Sequence, residues 1–246
     1  MKLTDLFGSL EMQEVASGLQ FTEGPVWLPE GALLFSDIPA SIIYRLRPGE
    51  RPAPWRSPSG NSNGLTLDRQ GRLLACEHGN RRVSRTEGDG RVISLAERYA
   101  GGRLNSPNDI VVRSDGIIYF TDPPYGIAPE QREQPCNGVY RILPAGELEL
   151  LVDDFDRPNG LAFSPDEKVL YIDDTPRRHI RAFDVAADGS LHNGRLFADL
   201  ASPEAGGPDG MKVDVEGNIY CTGPGGLWVF RPDGERVGVI AGPQLP

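Results

Sequence analysis

Apolar residues in this chain fall into blocks of about four, each running into a polar turn and out into a second apolar block. Five such segments align without a gap: EGPVWLPEGALLFSD (23–37), NGLTLDRQGRLLACE (63–77), NDIVVRSDGIIYFTD (108–122), NGLAFSPDEKVLYID (159–173) and DGMKVDVEGNIYCTG (209–223). Each reads as a β-hairpin. The turn carries Gly31, Gly71, Gly116 and Gly217 at one offset, where glycine most easily adopts a positive φ, and Glu167 stands there in the fourth segment. A third strand-like run follows every hairpin, for example SIIYRLRP (41–48) and GLWVFRP (226–232). Less regular runs such as RVISLAERYA and ELELLVDDF supply a fourth.

The segments start at residues 23, 63, 108, 159 and 209, so the spacings are 40, 45, 51 and 50. Four strands in every 40 to 50 residues, roughly, describe propeller blades. The expectation is an all-β protein, a β-propeller of four-stranded blades forming a single domain over 1–246. A sixth segment falls due one spacing beyond the fifth, past Pro246. The pattern therefore encodes about five full blades, which form either a five-bladed ring or a six-bladed one whose last blade is missing or incomplete. EMQEVASG (11–18) is then expected to be a strand closing that blade, and an exposed blade edge offers a homodimer contact.

Composition supports many short strands: Gly 30 and Pro 22 recur along the chain rather than gathering in a linker. A net charge of -10 leaves no basic patch for phosphate, which argues against nucleic acid. No apolar run approaches the roughly eighteen residues of a membrane span, and the start lacks a signal-peptide core, so a cytoplasmic location is expected. Cys76, Cys136 and Cys221 show no C-x-x-C spacing, and Cys76 and Cys221 are read as small buried residues within strands.

Inner strands of a propeller run in one direction, so residues at their starts share one end of the channel. Glu23, Asn63, Asn108, Asn159 and Asp209 hold that position. Carboxylates gathered there need a compensating cation or proton. An all-oxygen set suits Ca²⁺ first, then Mg²⁺ or Mn²⁺, and Zn²⁺ less well without His or Cys.

The stretches EGPVW, CEHGNRRV, SPNDIVV, YFTDPPYG, RPNGLAFSPDEKVLYI and PDGMKVD resemble the gluconolactonase and regucalcin (senescence marker protein) family of six-bladed calcium-dependent lactonases, over about residues 20–235. The bacterial gluconolactonase branch is the more similar. The resemblance implies that Glu23, Asn159 and Asp209 ligate the metal. Related diisopropyl fluorophosphatases add a ligand at the position of Asn108, where regucalcin contacts substrate. Ser106 replaces an Arg that animal members carry two residues before this Asn. The implied activity is hydrolysis of a sugar lactone, its carbonyl polarised by the cation and attacked by a water activated by Asp209, or by Asp209 itself as nucleophile. Asn63, His78 and Tyr125 are candidate substrate contacts beside Asn108. A metal-dependent phosphotriesterase or esterase, and a non-catalytic ligand-binding propeller with structural calcium, remain open alternatives.

One further motif is set aside. GNSNG (60–64) fits the G-x-S-x-G nucleophile elbow around Ser62, but that elbow requires a strand before the serine and a helix after it, and a hairpin follows here.

Overall fold

The computed structural model describes residues 2–242. Five four-stranded antiparallel sheets, each with its strands in chain order, dominate it. The first comprises β1 (Thr22–Leu28), β2 (Ala32–Asp37), β3 (Ile42–Leu46) and β4 (Ala53–Arg56). The second comprises β5 (Ser62–Leu67), β6 (Leu73–Glu77), β7 (Arg82–Thr86) and β8 (Val92–Ala96). A two-stranded ribbon, β9 (Arg98–Tyr99) and β10 (Gly102–Arg103), leads into the third: β11 (Ile110–Val112), β12 (Ile118–Asp122), β13 (Asn137–Ile142) and β14 (Leu148–Phe155). The fourth holds β15 (Pro158–Phe163), β16 (Val169–Asp174), β17 (His179–Val185) and β18 (Leu191–Asp199). The fifth holds β19 (Met211–Val213), β20 (Ile219–Gly223), β21 (Gly226–Phe230) and β22 (Arg236–Ile240). These are the blades of a β-propeller, as the repeat predicts.

By compactness the chain divides into Val15–Phe155, with the first three blades, and Met1–Glu14 with Asp156–Pro246, which carries the last two. In the former, Leu28, Leu34 and Ile43 of the first blade pack on Leu65, Leu73 and Ala75 of the second. Leu74, Cys76 and Val83 in turn meet Phe120, Tyr140 and Ile142 of the third, where the Phe120 and Tyr140 rings stack at 5.4 Å. In the latter, Tyr171, Ile180 and Ala182 pack on Met211, Cys221, Trp228 and Phe230. Each such large apolar side chain contributes about 1.5–3 kcal/mol by leaving water. Cys76 and Cys221 are buried within these cores with free thiols, and burial pushes both thiols well above their ordinary pKa.

The hairpin turns repeat one bond: the backbone N–H of Gly31, Gly71, Gly116, Glu167 and Gly217 donates to the carbonyl three residues back. Glu167 takes the positive φ of 56° that glycine takes elsewhere. The gapless alignment nevertheless fails just after it. Leu65 faces Ala75, Ile110 faces Phe120 and Met211 faces Cys221, each ten residues on, whereas Leu161 faces Ile172, eleven on. The fourth hairpin holds one extra residue, so Asp174 rather than Asp173 occupies the strand-end position. A second expectation also fails. Residues 11–18 form no strand, and Met12 and Val15 lie exposed, because their apolar residues do not alternate with the period of two that a strand requires.

Candidate active site

Each aligned segment opens on a polar residue at or just before its inner strand, and in four of the five a glycine follows it. The structure shows what that glycine does. Within Val15–Phe155, a Cβ on Gly24 would collide with the Asn63 carbonyl oxygen, and one on Gly64 would stand 2.5 Å from the Asn108 carbonyl oxygen. Gly64 N–H donates to that Asn108 carbonyl at 2.8 Å. Within the other unit, a Cβ on Gly160 would collide with the Asp209 carbonyl oxygen. The glycines let consecutive inner strands touch backbone to backbone, which seats Glu23 beside Asn63, Asn63 beside Asn108, and Asn159 beside Asp209.

A β-bulge accompanies the polar residue in three blades. The register shifts between Glu23 and Val26, between Ser62 and Leu65, and between Pro158 and Leu161. Bulges re-aim side chains and recur beside functional sites. Asn63, Asn108 and Asn159 are buried, and Glu23 and Asp209 are partly buried.

The side chains of Asn63, Asn108 and His78 form one hydrogen-bonded group. Asn63 Nδ2 lies 2.6 Å from Asn108 Oδ1 and 3.4 Å from His78 Nε2. Ser36 Oγ fixes the Asn63 backbone by donating to its carbonyl at 2.8 Å. His78 sits in the turn after β6, where burial lowers its pKa to about 4 and keeps the ring neutral near pH 7. Tyr125 is partly buried in the loop between β12 and β13. Ser62 is buried within β5, and its hydroxyl shares a hydrogen bond with Ser36.

In the other unit, Asn159 Nδ2 donates to Thr175 Oγ1 at 3.2 Å, and that hydroxyl donates to the Pro208 carbonyl at 2.8 Å. The amide nitrogen is thereby held on Thr175. Thr175 is a supporting residue that the sequence does not announce, since it lies two positions past the aligned segment and belongs to no repeat.

Strand-end carboxylates lie behind these residues. Asp37 accepts backbone N–H bonds from Gln20 and Phe21, and Asp174 accepts them from Asp156 and Arg157. Asp122 accepts from Asn105 at 2.7 Å. Each ties down the segment that leads into its inner strand. Burial raises Asp122 to about 7, despite the opposing backbone bonds from Asn105 and Ser106. Glu77 differs: burial pushes its pKa up, but bonds from Arg82, Asn80 and Ser84 and the charge of Arg56 outweigh burial and hold it below the ordinary value.

Among the described residues, no three His, Cys, Asp or Glu side chains gather as a metal cluster. A hard-cation site with fewer carboxylates needs further oxygen donors, and the amide oxygens of the expected set Glu23, Asn108, Asn159 and Asp209 are one source beside backbone carbonyls and water. The oriented amide of Asn159 fits such a donor role.

Five four-stranded blades with their strands in chain order define a β-propeller. Residues 21–246 match the family described as the SMP-30/Gluconolactonase/LRE-like region, and the chain belongs to that family. It is similar to the gluconolactonase of Zymomonas mobilis, with 35% identity over 95% of this chain and 73% of that protein. A solved gluconolactonase from Xanthomonas campestris shares 40% identity at a TM-score of 0.84, covering 92% of this chain and 78% of the other. The calcium-binding regucalcin of Agrobacterium tumefaciens shares the fold, with a TM-score of 0.74 at 20% identity over 90% of this chain and 74% of its own.

Proposed function

We propose that this protein is a lactonase that opens a sugar lactone in the manner of its gluconolactonase relatives. The observation that carries the reading is the 40% identity to the Xanthomonas campestris enzyme across 92% of the chain. Glu23, Asn108, Asn159 and Asp209 are the residues that would hold a divalent cation, Ca²⁺ first and Mg²⁺, Mn²⁺ or Zn²⁺ after it. Bound there, the cation supplies polarisation of the lactone carbonyl and stabilises the charge that develops on its oxygen.

The chain's own groups do the rest. Asn63, Asn108 and Tyr125 orient the lactone, with His78 behind Asn63. Asp209 takes a proton from the water that attacks the carbonyl carbon. The carbonyl carbon to ring-oxygen bond then breaks, and the ring oxygen leaves as a hydroxyl carrying that proton. The product is a hydroxy acid, which ionises and releases a proton to solvent.

That released proton is the assay. Titration at constant pH with glucono-δ-lactone should show turnover that EDTA removes and Ca²⁺ restores. Asp209→Asn should lower kcat by about 10²- to 10⁴-fold with the fold retained by circular dichroism. Turnover that survives EDTA, or an Asp209→Asn enzyme with unchanged kcat, would overturn the metal and the base respectively. A preference for a phosphotriester over every lactone would favour the esterase alternative.

A further inference from the structure

We propose that His78 is a positioning residue. Its ring, accepting at Nε2 from Asn63, orients the Asn63 amide so that Asn108 meets it with Oδ1, whose second lone pair is left for the site. The inference rests on the reading above only in taking Asn108 to face the substrate and cation.

An amide nitrogen carries two donors and no acceptor. Asn63 Nδ2 faces both Asn108 Oδ1 and His78 Nε2, so both neighbours must accept. Asn108 accepts through its oxygen, and His78 accepts only if Nε2 is bare and the ring proton sits on Nδ1. The opposite tautomer inverts the whole chain. A ring carrying its proton on Nε2 would donate, Asn63 would have to present Oδ1, and that oxygen would accept from Asn108 Nδ2. The tautomer of His78 and the orientations of two amides are thus a single variable with two settings. With Asn63 Nδ2 between them, Asn108 Oδ1 accepts from Asn63 and keeps a second lone pair for cation or substrate; in the other setting Nδ2, a donor that cannot ligate a cation, would stand at that contact.

The backbone holds the three side chains in place. Gly64 N–H bonds the Asn108 carbonyl, Asn108 N–H bonds the Thr121 carbonyl at 2.8 Å, and His78 N–H bonds the Asn61 carbonyl at 3.2 Å. Burial keeps the ring uncharged near neutral pH, so the ring carries a tautomer and not a charge. Partners behind a working side chain typically affect affinity or activity by about 10- to 100-fold when removed.

Two measurements test this. Long-range proton–nitrogen spectra of the ¹⁵N-histidine-labelled protein at pH 7 report the tautomer, with His78 assigned by the signal lost in His78→Gln. A bare Nε2 is expected; a protonated Nε2 or an imidazolium overturns the proposal. The second compares two variants in lactone turnover. His78→Leu, which removes the acceptor, should lower kcat/KM by about 10- to 100-fold with most of the loss in kcat. His78→Gln places an amide oxygen within reach of Asn63 and should recover most of that loss. Equal losses in two variants that both fold as the wild type does would overturn the relay. If the wild type opens no lactone, the functional reading fails while the spectrum still decides the tautomer.

Discussion

Glu77 and Asp122 occupy the same strand-end position in adjacent blades, and both are wholly buried. Their acid strengths move in opposite directions. Glu77 is surrounded by Arg56, Arg82, Asn80 and Ser84, with Arg82 at 2.7 Å and Ser84 at 2.5 Å. Asp122 meets backbone N–H groups, and its Oδ1 finds no hydrogen-bond partner among the described residues. Burial is therefore not what decides a buried carboxylate's state; the presence of a counter-charge is. The two acids should also act on stability from opposite sides of the pH scale. Glu77, with its pKa lowered, stabilises the fold above the ordinary Glu range and loses that contribution as pH falls through its folded value. Asp122, raised from 3.8 to about 7, gives its full contribution in acid and loses it as pH climbs through that interval.

The largest effect is expected from Glu77→Gln. Removing the charge leaves Arg56 buried without a counter-ion, which should cost about 3–5 kcal/mol in urea unfolding at pH 7. A loss under about 1 kcal/mol would mean the arginines contribute no more than surface pairs do. Asp122→Asn should show a difference that depends on pH. Relative to wild type, the variant should gain stability between pH 4 and pH 8 by up to about 4 kcal/mol, because it escapes the cost of ionising in place. A difference that stays constant with pH would place Asp122 in the ionised state throughout and erase the contrast with Glu77. Smallest is Ser84→Ala, which removes one bond to the Glu77 carboxylate and should cost about 1–2 kcal/mol without altering the pH dependence near neutrality.

Much of the architecture is legible because the hairpin is a local structure. Five registered turns with glycine or Glu167 at one offset predict the five blades, and all five form. The slip after Glu167 is not legible, since PDEK reads as a turn at either length and only pairing of Leu161 with Ile172 fixes the count. The run at 11–18 misleads for a different reason: its apolar Met12, Val15 and Ala16 do not alternate as a strand requires. In the site, the aligned starts predict the neighbours Asn63 and Asn108, which do meet. The support of Asn159 by Thr175 lies outside the repeat, and the link from Asn63 to His78 depends on side-chain direction, so spacing reveals neither.

The glycines that press one inner strand against the next have a consequence for how such a protein tolerates change. Blade starts are separated by 40 to 51 residues, yet Gly24 against Asn63, Gly64 against Asn108 and Gly160 against Asp209 are all set by the thickness of a peptide backbone. Loops and hairpins can lengthen, as the fourth has by one residue at its far end, without altering the spacing of the polar side chains. The repeat thus separates what is free to drift from what is held, and the gauge that holds it is two strands' main-chain atoms in contact.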